Sequence, residues 1–259
     1  MINITILFVI FQGTALLFLA IFARSNSTTS TVVSYSSLVS NCLMFLLAFT
    51  LMYAPFRKFS LFSLGSLLII ITITVQTHFL FATFWDSCFD GFNSTFTVDA
   101  TLITRSLHAS LFVLLTSLDF LGLFCYWQAY LILAPIMTIG ATLSSAILIK
   151  GLHIFDGGSG LLVFFYSGVF SLMIWIVLFR DKFQVDDLNI KKSYLNQILG
   201  MLGVILAFIN WPKFNAAGAL VSLGNVDTNS VSIVNLQNSA VSNTFFGLSI
   251  SLLIAFVFA

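Results

Sequence analysis

An all-α polytopic membrane protein of about eight transmembrane helices is the fold class this sequence predicts. Three observations predict it. Of 259 residues, 59% are hydrophobic and 7% are charged, with 30 Phe, and the mean hydropathy is +1.07. A soluble domain is nearer a quarter charged. The apolar residues fall in continuous runs of about 20, the length that crosses a hydrocarbon core about 30 Å thick. Those runs do not alternate apolar with polar in segments of about ten, which excludes a β-barrel.

In chain order the runs are Ile4–Ala23, Ser36–Ala54, Ser60–Phe84, Thr101–Leu118, Leu123–Ile149, Gly160–Phe179, Tyr194–Leu223 (broken at Trp211-Pro212) and Ser239–Ala259. They are read as one transmembrane domain over residues 1–259. The first run lacks a basic n-region and a small-residue cleavage site, so it reads as a helix rather than a signal peptide. Basic residues concentrate in two links, at Arg57-Lys58 and across Arg180, Lys182, Lys191 and Lys192. The alternate links Ser25–Tyr35, Asp86–Asp99 and Gly224–Asn238 read as polar loops poor in cations. The positive-inside rule therefore predicts an inside N-terminus. Sequons at Asn26 and Asn93 fall on the opposite side. They are glycosylation candidates on a secretory route, or chance matches in Asn/Ser/Thr-rich links.

A net charge of +1 offers no basic stripe, so nucleic acid is not an expected partner. All nine acids are Asp, and the three Cys have no metal or redox spacing. No P-loop, dinucleotide fingerprint, H-E-x-x-H or Ser/His/Asp set is present. An enzyme is not expected, nor any cofactor or metal. Ionisable groups in the spans are the functional candidates. Arg105 and His108, early in the fourth run, read as side chains that snorkel to the outer edge. His78 reads as a satisfied packing histidine, and Asp119 as a water-facing group at the inner surface. Asp156, before Gly157-Gly158-Ser159-Gly160, reads as a helix N-cap. Pro212 is expected to kink an interior helix whose small following residues allow close packing.

The segment Trp211-Pro212-Lys213-Phe214-Asn215-Ala216-Ala217, followed by Val241-Ser242-Asn243-Thr244, resembles the Rh branch of the ammonium transporter (Amt/Rh) superfamily. Those proteins carry a W-P-x-F-N-[SA]-A helix, a polar loop and an Asn-Thr span. Leu43-Met44-Phe45 with Arg57-Lys58-Phe59, Thr101-Leu102-Ile103, and Asp156-Gly157-Gly158-Ser159 follow the family's order. The resemblance covers the chain as the N-terminal two-thirds of the Amt/Rh fold.

It implies a conduit for ammonia, lined in the family by two facing histidines beneath a phenylalanine gate. The first histidine's position is Val163 or Phe164 here, and the family's acidic residue and phenylalanine early in the fourth span correspond to Ser106 and Leu107. The second belongs to a later helix, in a fold of about eleven or twelve spans built as inverted repeats. The chain is thus expected to be a truncated, degenerate Rh-like protein whose pore histidines are lost. It would act as an accessory subunit of a membrane complex, with lipid and other membrane subunits, or a homotrimer, as partners. The alternative is a channel for ammonia, ammonium or another small neutral gas, its pore completed by another chain. An organellar (mitochondrial) inner membrane and the plasma membrane are both compatible with this composition.

Overall fold

A computed structural model describes residues 2–25, 44–45, 47–52, 60–90, 96–98, 100–120, 127–154, 156, 160–179, 194–222 and 230–258. Helix α1 is Ile2–Phe22; residues 44–45 and 47–52 are helical and form α2. Helix α3 is Ser60–Asp90, α4 is Ala100–Phe120 and α5 is Trp127–Ala146. A π-helical turn, Ile147–Gly151, extends α5, and another, Leu161–Phe165, leads into α6, Tyr166–Phe179. Two long helices follow, α7 at Tyr194–Ser222 and α8 at Ser230–Phe258. Four helices are long and apolar enough to cross a membrane, within Leu67–Phe89, Leu133–Gly151, Tyr194–Ala217 and Val234–Val257. The chain is an all-α polytopic membrane protein in all but one detail.

That detail is a parallel pair of short strands, β1 (Ala23–Ser25) and β2 (Phe96–Val98), with Ala23 opposite Phe96 and Ser25 opposite Val98. The expected link Asp86–Asp99 holds β2, and β1 covers the junction between the first expected run, ending at Ala23, and the link that starts at Ser25. Their pairing satisfies backbone groups just past helix ends and sets the exit of α1 beside the entrance of α4. Asp86, in the last turns of α3, lies 3.1 Å from Lys150 Nζ and 3.7 Å from Arg105 Nη1. The far end of α3, the start of α4 and the end of α5 therefore share one end of the bundle with the strand pair. Up-and-down alternation of α3, α4 and α5 follows. These side chains are about a third exposed, so the ion pairs are screened and act mainly as registers between helix ends.

Two further expectations need correction. Helix α7 runs unbroken through Pro212, which is buried. The missing N–H costs one intrahelical bond, and packing on both sides holds the helix through the gap. Helix α8 begins at Ser230, nine residues before the expected Ser239. A 29-residue helix is about 43 Å long, so its polar first turns extend beyond the hydrocarbon, where water tolerates Asn235, Gln237 and Asn238.

Phe45 and Phe49 of α2, Leu67, Ile70 and Ile73 of α3, Met137 of α5 and Phe214 of α7 close around Leu111–Leu114 of α4. Helix α4 is the centre. It is buried along nearly its whole length, including Thr104, Ser106, His108, Ser110, Thr116 and Ser117. A helix walled in by protein can carry those polar residues, and α4 is among the less apolar helices for that reason. Helix α8 is the opposite case. It packs on α7, and none of its apolar window is buried.

Helices α2 and α7 touch at Gly203, where a Cβ would stand 2.5 Å from Met52 N and 2.7 Å from Ala48 O. Backbone cannot yield there as a side chain can. Gly203→Ala is expected to cost about 1–3 kcal/mol by overpacking, read as a lowered thermal midpoint in detergent. Gly168→Ala in α6, where no heavy atom lies within 4 Å of the new Cβ, is the control and should not lower it.

Candidate functional site

The buried polar residues of α3, α4 and α5 mostly solve the hydrogen-bond problem within their own helices. Thr74 donates to Ile70 O at 2.7 Å, Ser110 to Ser106 O at 2.9 Å, Thr116 to Phe112 O at 2.8 Å and Thr138 to Ala134 O at 2.6 Å. Hydroxyls bonded back one turn add volume and no unmet polarity. Imidazoles cannot do this with both nitrogens.

His108 on α4 is 2% exposed. Its Nδ1 lies 2.7 Å from Thr104 O; the carbonyl accepts, so Nδ1 carries the hydrogen and a neutral ring keeps its lone pair on Nε2. That Nε2 is buried and has no hydrogen-bond partner. One face of the ring lies on Phe214 of α7, centroids 4.0 Å apart and planes 34° apart. Phe214 meets Phe45 edge-on at 4.7 Å, and Phe45 meets Trp211 edge-on at 5.5 Å. The Trp211-Pro212-Lys213-Phe214 segment thus packs α7 on α2 with its aromatic residues and places a ring against the histidine of α4.

Beside this stack is a cavity of about 40 Å³ lined by Phe45, Phe49, Ile71, Leu107, Ser110, Leu111, Leu114 and Phe214. A water needs about 10–15 Å³ on that measure, so the cavity admits a very small solute. Its lining offers one hydroxyl, already bonded to Ser106 O, and no titratable group.

The positions singled out by the family resemblance fall as follows. Ser106 is fully buried and its hydroxyl donates to Ile103 O at 2.7 Å, so its one hydrogen is used within its own helix. Leu107 lines the cavity. Val163 is 1% exposed and belongs to the hydrophobic core, near Phe112 and Tyr166. The Phe164 side chain, Gly157, Gly158, Asn26 and Asn93 lie outside the described residues, as does the Asp119 side chain. Asp156 Oδ1 accepts the Leu161 N–H at 3.2 Å, at the N-terminus of the π turn before α6. Asn215 Nδ2 donates to Thr244 Oγ1 at 3.0 Å, and Thr244 donates to Ala240 O at 2.6 Å. Asn243 is exposed on α8.

Sequence reasoning misplaced two histidines. His108 does not snorkel; it is interior. His78 on α3 is 5% exposed and its Nδ1 is buried without a partner, so it is not a satisfied packing residue. The signal for His108 was the run of Ser and Ala around it, Ser106, Ala109 and Ser110, which marks a helix surrounded by other helices rather than by lipid. Among the described residues no group of three His, Cys, Asp or Glu is placed to hold a metal ion.

Two comparisons bear on this arrangement. The chain is 24% identical over 266 aligned residues to the ammonium transporter Rh type B of Rattus norvegicus, and equally to that of Mus musculus. Each alignment covers 97% of this chain and 55% of the relative. The ammonium transporter Rh type C of Xenopus laevis is 27% identical over 71 residues, 27% of this chain and 15% of its own length. The chain spans about half the length of the Rh type B relatives it matches. No protein-family profile matches it. It is an integral membrane protein similar, over nearly all its length, to Rh-type ammonium transporters.

The His108–Phe214 stack ties α4 to α7. His108→Ala is expected to cost about 2 kcal/mol through the cavity it leaves and the lost ring contact. His108→Phe keeps the stack and removes the unpaired nitrogen, and should stay within about 1 kcal/mol of the parent. Thermal unfolding in detergent or nanodiscs measures both, and equal losses would remove the stack from the account.

Proposed function

We propose that this chain is an Rh-like membrane protein that serves as a structural, accessory subunit of a membrane assembly and does not conduct solute alone. One observation carries the reading: where the resemblance puts a pore histidine and an acid of the family, this chain has a packed apolar side chain and a buried neutral hydroxyl with no titratable group. Val163 is core, and the hydroxyl hydrogen of Ser106 is given to Ile103 O of its own helix. The cavity beside Leu107 and Phe214 is about 40 Å³. The outer surface supports the same reading. Asn243 stands near the middle of α8, exposed, and an amide at membrane depth is far better placed against another helix than against lipid. Partner membrane subunits, or further copies of the chain, would supply it. Positive-inside bias supports an inside N-terminus, with the Asp86–Arg105–Lys150 cluster outside.

The second reading is a channel for ammonia, ammonium or another small neutral gas, completed by another chain. The apolar cavity under the His108–Phe214 stack favours it, because a neutral solute needs only a dehydrated path. What the Rh type B relatives are named for lends it the same support.

Reconstituted alone into liposomes, the chain is expected to leave ammonia and methylamine permeability at the level of empty vesicles, measured by internal pH in stopped flow. Flux above that level, altered by Val163→Asp, would replace the first reading with the second. Tagged chain extracted from its native membrane in mild detergent should migrate well above its 28.6 kDa mass after correction for the micelle. A monomer there would remove the assembly role.

A further inference from the structure

Lys213 is out of place on the outer surface of α7. It is exposed, it makes no ion pair among the described residues, and it stands within the span Tyr194–Ala217. Two counts give its depth. Along α7 it is about 11 Å from the middle of that span, at 1.5 Å per residue. The second count uses the neighbouring helix. Asn215, two residues on, donates to Thr244 of α8 and so lies level with it. Thr244 is close to the middle of the Val234–Val257 span, which puts Lys213 within about 5 Å of that middle. Half of a hydrocarbon core is about 15 Å. Both counts leave the residue in hydrocarbon.

The side of α7 on which it stands is otherwise apolar. Phe214 turns to His108 and Phe45, and Asn215 turns to α8. Lys213 takes the remaining side with Ile209, Leu202 and Leu195, all exposed. At steps of four, seven and seven residues these side chains form one row along the helix.

A charged group within a span normally faces the bundle interior or pairs with an opposite charge, and lipid tails supply neither. A lysine's other escape is to snorkel to the surface. Lys213 is in the C-terminal half of α7, whereas Cα–Cβ bonds tilt toward a helix's N-terminus. The side chain therefore sets out away from the nearer surface. The chain itself has no anion to offer at this depth. Its nine acids are all Asp, and each lies between helices or in the last turns of one. A second copy brings no carboxylate level with Lys213, so the missing charge belongs to a different chain.

We propose that this row of α7 docks a transmembrane helix of another membrane protein, one that carries an Asp or Glu level with Lys213. The inference rests on the accessory-subunit reading and names the partner's chemistry: an apolar helix face interrupted by one carboxylate. The row supplies contact area, and the ion pair fixes the depth at which the two chains meet.

Single-span Leu/Ala peptides with a central Asp or a central Asn test it, by energy transfer to the labelled full chain in lipid vesicles. The Asp peptide is expected to associate about tenfold more tightly than the Asn peptide, and Lys213→Leu to remove the difference. Equal association of both peptides with the parent chain overturns the proposal. Lys213→Leu breaks no ion pair among the described residues, so an unchanged thermal midpoint is its folding check. In the native membrane, Lys213→Leu should reduce the size of the extracted assembly and Lys213→Arg should restore it. An assembly that keeps its size in Lys213→Leu overturns the docking site. Modification of Lys213 by a membrane-impermeant amine reagent as fast as that of Lys150 puts the amine among lipid headgroups, and overturns it too. The peptide readout needs no native assembly. A monomeric chain that still selects Asp ends the accessory role alone, and a native assembly without Asp selection ends the docking site alone.

Discussion

Hydrocarbon neither donates nor accepts a hydrogen bond, and that single constraint organises this bundle. Every polar side chain in the spans has to close its bonds inside the protein. Most of the buried Thr and Ser do so at short range, the hydroxyl turning back to a carbonyl one turn earlier, as at Thr74, Ser106, Ser110, Thr116 and Thr138. The consequence is a set of small, electrically quiet side chains through the middle of α3, α4 and α5. Small side chains let helices approach, and α4 can then be surrounded on all sides by α2, α3, α5, α6 and α7. Packing in the bundle thus follows from local hydrogen bonding, since hydrophobicity cannot distinguish a neighbouring helix from lipid.

At the ends of the helices the constraint relaxes and charge reappears. Asp86 receives Lys150 from α5 and Arg105 from α4 at partial exposure, where each contact is worth little alone. Their value is positional, because three helix ends held together fix which residues face each other further in. The strand pair does the same for α1 and α4. Register set at the wet end decides what meets at dry depth.

The fold class was legible because span length and continuity are one-dimensional properties. Runs of about 20 apolar residues can be read without knowing what surrounds them. What surrounds them was not legible. Hydropathy averaged over a window treats a lipid-facing and a protein-facing residue alike, so His108, near the end of a span, passed for an edge residue when it is 2% exposed. Pro212 looked like a break because proline removes one donor; whether a helix survives that loss depends on its neighbours, here the aromatic contacts of Trp211 and Phe214 with Phe45. The first turns of α8 looked like loop because polarity was read as disorder of form, although a helix that leaves the membrane keeps its shape in water. The β1–β2 pair joins segments about 70 residues apart, and no local pattern announces it.

The likeness to Rh-type transporters sharpens one question about the interior. Ser106 occupies the position of the family's acidic residue by resemblance, and His108 stands only two residues further on. Two residues on an α-helix are about 200° apart, so their side chains leave α4 in nearly opposite directions. The His108 ring lies on Phe214 of α7, and the Ser106 hydroxyl donates to Ile103 O of its own helix. The imidazole is therefore no displaced substitute for the acid. It serves another face of the same helix. Likeness over nearly the whole length does not depend on any one polar position: helix contacts depend on small residues and capped ends, whereas polarity is set by single side chains that can change without changing the fold.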